Sequence, residues 1–132
     1  MQQVYRRNPT ATSLIHYHFI WVVRRQRPVL KGMAAIRLKE LIYEFCETLE
    51  VEVLTVEIHP HTVYLTVDSP PTLAPHQIVH RVKGHTARHL RREFQQLQTL
   101  PSMWTRSYFV STAETVSEKS IEQYIRRQKK KG

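Results

Sequence analysis

Two hydrophobic periods alternate along these 132 residues, and their order leaves few architectures open. Residues 16–23 (His-Tyr-His-Phe-Ile-Trp-Val-Val) are aromatic and β-branched, which predicts a strand. Residues 34–49 then place Leu38, Leu41, Ile42, Phe45 and Leu49 at helical spacing. Alternation returns over 51–58, where Val51, Val53, Thr55 and Glu57 oppose Glu52, Leu54, Val56 and Ile58. Residues 63–67 follow after a His59-Pro60-His61 corner, and the two runs predict an antiparallel hairpin. A second helix is predicted over 76–97, with Ile78, Val82, Leu90, Phe94 and Leu97 inward and basic residues outward. A fourth strand is predicted over 104–111 and a last helix over 117–131. Ser117 suits its N-cap, and Val116 with Ile121 suits a hydrophobic staple. The order β-α-β-β-α-β-α begins with the six elements of the ferredoxin-like split βαβ pattern. The expected class is α+β: an antiparallel sheet with two helices on one face, the other face left for a ligand or the extra helix.

The length fits a single domain spanning 1–132. Residues 1–13 are expected to form a polar N-terminal arm carrying Arg6 and Arg7. Residues 68–75, with Pro70, Pro71 and Pro75, are expected to form a turn and linker. One cysteine, Cys46, excludes a disulfide scaffold and a cysteine-ligated zinc site. No run reaches the roughly 18–20 apolar residues of a membrane span, and residues 1–9 have no apolar signal core behind them. A cytoplasmic, nucleoid-associated protein is the expectation. Twenty Lys and Arg against eleven Asp and Glu give +9, an excess that attracts polyanions, nucleic acid foremost. A membrane surface is the rival, but no helix shows the amphipathic pattern it requires.

Three constellations have chemical potential. On the last helix Ile121, Tyr124, Ile125 and Gln128 share a face, with Tyr124 and Gln128 one turn apart and able to enter one site. Arg126, Arg127 and Lys129 to Lys131 surround them; such a run is ordinarily a solvated tail and also suits phosphates. The second helix carries His76, His80, His85 and His89 at the i, i+4 spacing of helical metal ligands, among Arg81, Lys83, Arg88, Arg91 and Arg92. Gln77 stands where a zincin motif has its glutamate, so a basic face against phosphates is the stronger reading. Two His-x-His patterns, His16/His18 and His59/His61, place imidazoles where two residues of a strand share a face. The second is centred on proline, which suits a corner better than a strand.

In order, these segments resemble the HUH-family single-tyrosine transposases of single-strand-DNA insertion sequences, the TnpA type. The resemblance runs through His16 to Leu30, then Val63-Tyr64-Leu65-Thr66-Val67-Asp68-Ser69-Pro70-Pro71. It continues through Val82-Lys83-Gly84-His85-Thr86-Ala87-Arg88, Trp104 to Val110 and Ile121 to Gln128, covering about 14–128. The resemblance implies that a tyrosine hydroxyl, here Tyr124, attacks a DNA phosphodiester to give a 5′-phosphotyrosine and a free 3′-hydroxyl. It implies a Mg2+ or Mn2+ ion held by two histidines and a glutamine, here Gln128. It implies a homodimer, with 104–111 a candidate interface, that recognises hairpin or single-stranded DNA. Arg81, Lys83, Arg88, Arg91, Arg92, Arg126 and Arg127 are the expected DNA contacts.

The chain departs from that pattern at one point. Counting back from Pro70-Pro71, the paired histidines fall on Thr62 and Tyr64. Neither suits a hard divalent cation; His18 is the candidate substitute, and Glu114 replaces a glycine after the fourth strand. Weak or absent cleavage is therefore expected. The alternatives are a catalytically inactive DNA-binding dimer, or an RNA-binding sheet domain that would need exposed aromatics such as Tyr64 for base stacking.

Overall fold

The computed structural model describes residues 4–131, with side chains described to Gln128. The elements, in chain order, are β1 (Arg6–Asn8), β2 (Ala11–Ser13), β3 (His16–Val22), α1 (Gly32–Thr48), β4 (Glu52–His59), β5 (Thr62–Asp68), α2 (Pro75–Glu93), β6 (Phe109–Ser111) and α3 (Glu118–Lys131). The main sheet is ordered β4-β5-β3-β6 and is antiparallel at every pairing. Helices α1 and α2 pack together and bury Leu38, Leu41, Ile42, Ile78, Val82 and Leu90 against Phe19, Trp21, Val63, Leu65 and Val67. This is the ferredoxin-like α+β arrangement, and α3 lies on the opposite face of the sheet. No helix among the described residues is long and apolar enough to cross a membrane.

The β4–β5 hairpin closes through Pro60-His61, with His59 paired to Thr62. The alternation read from the sequence puts Val53 on one face and Val56 and Ile58 on the other, yet all three pack against the core. A bulge between Val53 and Thr55 resolves the conflict. One extra residue, the exposed Leu54, shifts the side-chain phase, so residues on either side of it return to the same face.

Three expected boundaries are corrected. The fourth strand is only Phe109–Ser111. Trp104 makes an isolated bridge to Val23, and the Thr105 amide donates to the Val22 carbonyl at 3.1 Å. Residues 105–108 leave the ladder because the carbonyls of Thr105 and Ser107 turn to the ammonium of Lys83, at 2.8 and 3.0 Å. The second helix stops at Glu93, where Phe94 turns extended, and Gln95–Thr99 forms a 3-10 turn. That turn is tied back by Arg91 to the Leu100 carbonyl (2.7 Å) and by Gln98 to the Arg91 carbonyl (2.8 Å). The N-terminal arm is a β1–β2 hairpin from Arg6 onward, its turn closed by the Asn8 side-chain oxygen accepting from the Thr10 and Ala11 amides. Arg6 grips the buried Asp68 carboxylate through Nε (3.0 Å) and Nη2 (2.8 Å), both on Oδ1, charge-assisted bonds that are stronger than neutral ones.

Helix starts follow local chemistry. Pro75 opens α2 at a position where no amide is needed, and the Ala74 amide donates to the Gln77 side chain at 2.8 Å. For α3, the Ser120 amide donates to Ser117 Oγ at 3.1 Å, so Ser117 is the N-cap. Residues 112–117, Glu114 among them, form an irregular connection that swings the chain to the far face.

Candidate functional site

Register fixes which side chains share the face beneath α3. Pairing of β3 with β5 aligns His18 with Thr66, Ile20 with Tyr64 and Val22 with Thr62. Pairing of β4 with β5 aligns Thr55 with Thr66, Glu57 with Tyr64 and His59 with Thr62. Period two then puts all of these on the face away from the core. Helix α3 turns Ile121, Tyr124, Ile125 and Gln128 towards the protein, Gln128 being 3% exposed. At its start, Ile121 and Val116 stand with His18, Tyr64 and Thr66 around one small cavity. Further along, the Ile125 carbonyl accepts from Gln26 Nε2 at 2.7 Å. The helix therefore runs from the Thr66 end of the sheet towards the Thr62 end, with Gln128 towards the latter. Gln26 reaches α3 from a turn in which Arg25 and Gln26 both have positive φ (56° and 49°), a strained geometry for residues with a Cβ.

The Tyr124 hydroxyl lies 3.0 Å from Ser107 Oγ, and its ring is tilted against Phe109 at 6.0 Å. Burial raises its pKa above 10, while the hydrogen bond with Ser107 pulls the other way. The net direction is upward, opposite to that of an activated nucleophile. Tyr124 therefore docks on the segment 105–107, and Lys83 holds that segment from below.

Lys83 was expected on the DNA surface, and the structure corrects this. It is 8% exposed, because the carbonyls released from the fourth strand need a donor and the α2 face carrying Lys83 is turned inward. Trp104 Nε1 donates to the Lys83 carbonyl at 3.1 Å, closing the arrangement. Burial lowers the Lys83 pKa from 10.5 to about 8. Below pH 8 both folded and unfolded chains carry this proton. Between about 8 and 10.5 only the unfolded chain keeps it, so this group makes stability rise with pH there. Burial raises the Cys46 thiol from 9.0 to about 12, which opposes the rise above pH 9. Comparing wild type with Lys83→Met cancels the Cys46 effect. Urea melts should show the difference moving in favour of wild type between pH 8 and 10.5; a constant difference would refute the assignment.

The donor set at the paired-histidine positions does not fit a divalent cation. Thr62 is 1% exposed, and its hydroxyl lies 2.7 Å from His61 Nδ1. Tyr64 stands edge-on to His59, ring centres 5.0 Å apart. Its hydroxyl is pushed above the usual range by burial and by Glu57, so it stays neutral. His18 does share this face, but its Nδ1 is 3.0 Å from Thr66 Oγ1. His59 ends β4 and His61 sits in the turn, so that pair is split between elements. His16 binds Asp68 at 3.2 Å. The His76 and His80 rings are 6.2 Å apart, and His85 is stacked on Phe45 (4.2 Å) with the His89 ring tilted against it at 4.3 Å. Among the described residues no three His, Cys, Asp or Glu side chains gather as a metal site.

Glu57 is the residue the sequence reading missed. Counted by strict alternation it falls with Val51 and Val53; the bulge puts it opposite Tyr64 instead. Ser107 was missed because nothing local marks a serine whose partner is 17 positions away.

The expected cationic residues divide. Arg81, Arg88, Arg92, Arg126 and Arg127 are exposed. Arg91 is half-buried and committed to the Leu100 carbonyl, although it lines a surface groove with Arg88, Arg92 and Gln98. The side chains of Lys129 to Lys131 lie outside the described residues.

Comparison with known proteins agrees with this fold. The family described as IS200-like transposases matches residues 11–128. The ISDra2 transposase TnpA of Deinococcus radiodurans is 30% identical over 117 residues, covering 86% of this chain and 84% of that protein. A crystal structure assigned as a transposase from Deinococcus radiodurans R1 superposes with a TM-score of 0.84 at 28% identity, covering 93% of this chain and 97% of that one. A REP-associated tyrosine transposase bound to a REP hairpin shares the fold at a TM-score of 0.54 and 12% identity, over 95% of this chain and 67% of that one.

Proposed function

Because the chain belongs to the IS200-like transposase family, we propose that it is a DNA-binding member that grips hairpin or single-stranded DNA as a homodimer without cutting it. The observation that carries this reading is the pair Thr62 and Tyr64 on the sheet face under the tyrosine helix, where metal-holding side chains would be required. The Tyr124 hydroxyl, bonded to Ser107 and raised in pKa by burial, supports it. The relative captured with a REP hairpin supports DNA as the partner class, as does the +9 charge. The RNA-binding alternative is disfavoured because the family that matches residues 11–128 is one of transposases, whose substrate is DNA.

Affinity for hairpin DNA is expected to fall steeply with salt, each phosphate contact adding roughly 0.7–0.9 to the logarithmic slope. Replacing Arg81, Arg88, Arg92, Arg126 and Arg127 with Ala should flatten that slope by about two or more. Fluorescence anisotropy across a salt series measures both; a salt-independent affinity, or no binding, defeats the claim. With labelled DNA and Mg2+ or Mn2+, wild type and Tyr124→Phe should give the same denaturing gel. An adduct present in wild type and lost in Tyr124→Phe overturns the non-cutting reading. The dimer rests on the family resemblance, with the edge strand β6 as candidate interface. A monomer by light scattering at micromolar concentration removes it.

A further inference from the structure

The sheet face abandoned by metal ligands holds a small polar cavity. It measures about 190 Å3 and is walled by His18, Thr55, Glu57, Tyr64 and Thr66, with Ile121 of α3 above. Sites for drug-sized ligands run to roughly 300–1,000 Å3, so this one suits a single planar base and not a whole nucleotide. Its chemistry is an aromatic ring, an aliphatic cover and a polar rim. Tyr64 is held edge-on against His59 at 84°, and the His18 to Thr66 contact fixes the rear wall. Glu57 and Thr55 are exposed at the β4 side. An ionised carboxylate only accepts hydrogen bonds, so the occupant must bring donors. The same charge repels phosphate, so what enters from a polyanion drawn to the basic surface is a base and not the backbone.

We propose that this cavity binds one unpaired nucleobase of the DNA, stacked on Tyr64 and read by Glu57, with guanine preferred. The proposal rests on the DNA-binding reading above and assigns it a point of base recognition. Guanine carries an N1–H and an exocyclic N2–H side by side, which match the two oxygens of one carboxylate. Adenine and cytosine offer an amino group alone, and thymine a single ring N–H. Enclosure between aromatic and aliphatic groups is the general way an extruded base is held. Glu57 would then be a specificity-determining residue, and Tyr64, standing where a metal ligand is expected, the stacking platform.

The test uses the full chain and a DNA hairpin with a single-stranded arm, each arm position carrying in turn guanine, thymine or an abasic site. Wild type should show one position where an abasic site weakens binding roughly fivefold or more, the scale of one stacked base. Tyr64→Leu should remove that dependence, and Glu57→Gln should remove the preference for guanine over thymine. 2-Aminopurine at that position should be quenched on binding wild type, a readout that needs no variant. Uniform affinity at every position, a preference surviving in both variants, or unquenched 2-aminopurine overturns the base pocket. In those cases DNA binding itself still stands. Failure to bind any of these DNAs defeats both readings.

Discussion

Thr62→His with Tyr64→His is expected to create a metal site on the sheet face under α3. Residues 62 and 64 lie on one face of β5, opposite Val22 and Ile20 of β3, and Gln128 is directed to the Thr62 end of that face. Two imidazoles two residues apart on a strand can reach one ion, and the Gln128 amide oxygen offers a third donor. At Mn2+ about a hundredfold above its dissociation constant, binding to the folded state alone adds about 2.7 kcal/mol. For a chain of this length that is a melting rise of roughly 10 °C. Wild type should not move, and adding Gln128→Leu to the double variant should reduce the rise. Thr62 is 1% exposed, so the larger imidazole there forces local repacking at about 1–3 kcal/mol; the metal-free double variant should melt lower than wild type. Differential scanning calorimetry with and without Mn2+ reads both effects. Equal melting in the two conditions would show that these positions do not face a common site.

Lys83→Ala is expected to be the most damaging single change to the fold near Tyr124. It removes the donor from the Thr105 and Ser107 carbonyls, each costing about 1–3 kcal/mol when buried and unpaired. It also leaves a cavity between α2 and residues 104–107, and truncations of this size in a core cost about 2–5 kcal/mol. Relief of burying an ammonium offsets part of this. A net loss of about 3–5 kcal/mol is a large share of the 5–15 kcal/mol typical of a domain. Lys83→Met keeps most of the volume and should lose less. Because the segment it holds carries Ser107, amide exchange in α3 should quicken in Lys83→Ala more than exchange in α1. Chemical denaturation and hydrogen exchange measure the two; a loss under 1 kcal/mol would mean the two carbonyls find another donor.

The sequence by itself determined what depends on local periodicity and local chemistry. Helical spacing of Leu38, Leu41, Ile42 and Phe45 marked α1, Ser117 marked the start of α3, and Pro60-His61 between alternating runs marked the hairpin. The shared face of Ile121, Tyr124, Ile125 and Gln128 was also readable, because 3.6 residues per turn fixes it whatever the surroundings. Ordered motifs located the family, and counting from Pro70-Pro71 located Thr62 and Tyr64. Tertiary structure decided what depends on partners distant in the chain. The bulge at Leu54 chose the face of Glu57, since only packing on the core can select between two phases of a strand. Lys83 and Arg88 look alike in a basic helix, yet one is buried and the other exposed. Two carbonyls more than 20 positions away required a donor on that side. Asp68, read as part of a linker, anchors the N-terminal hairpin through Arg6 across 62 positions. Charge and period are properties of a segment, whereas burial and pairing exist only once segments meet.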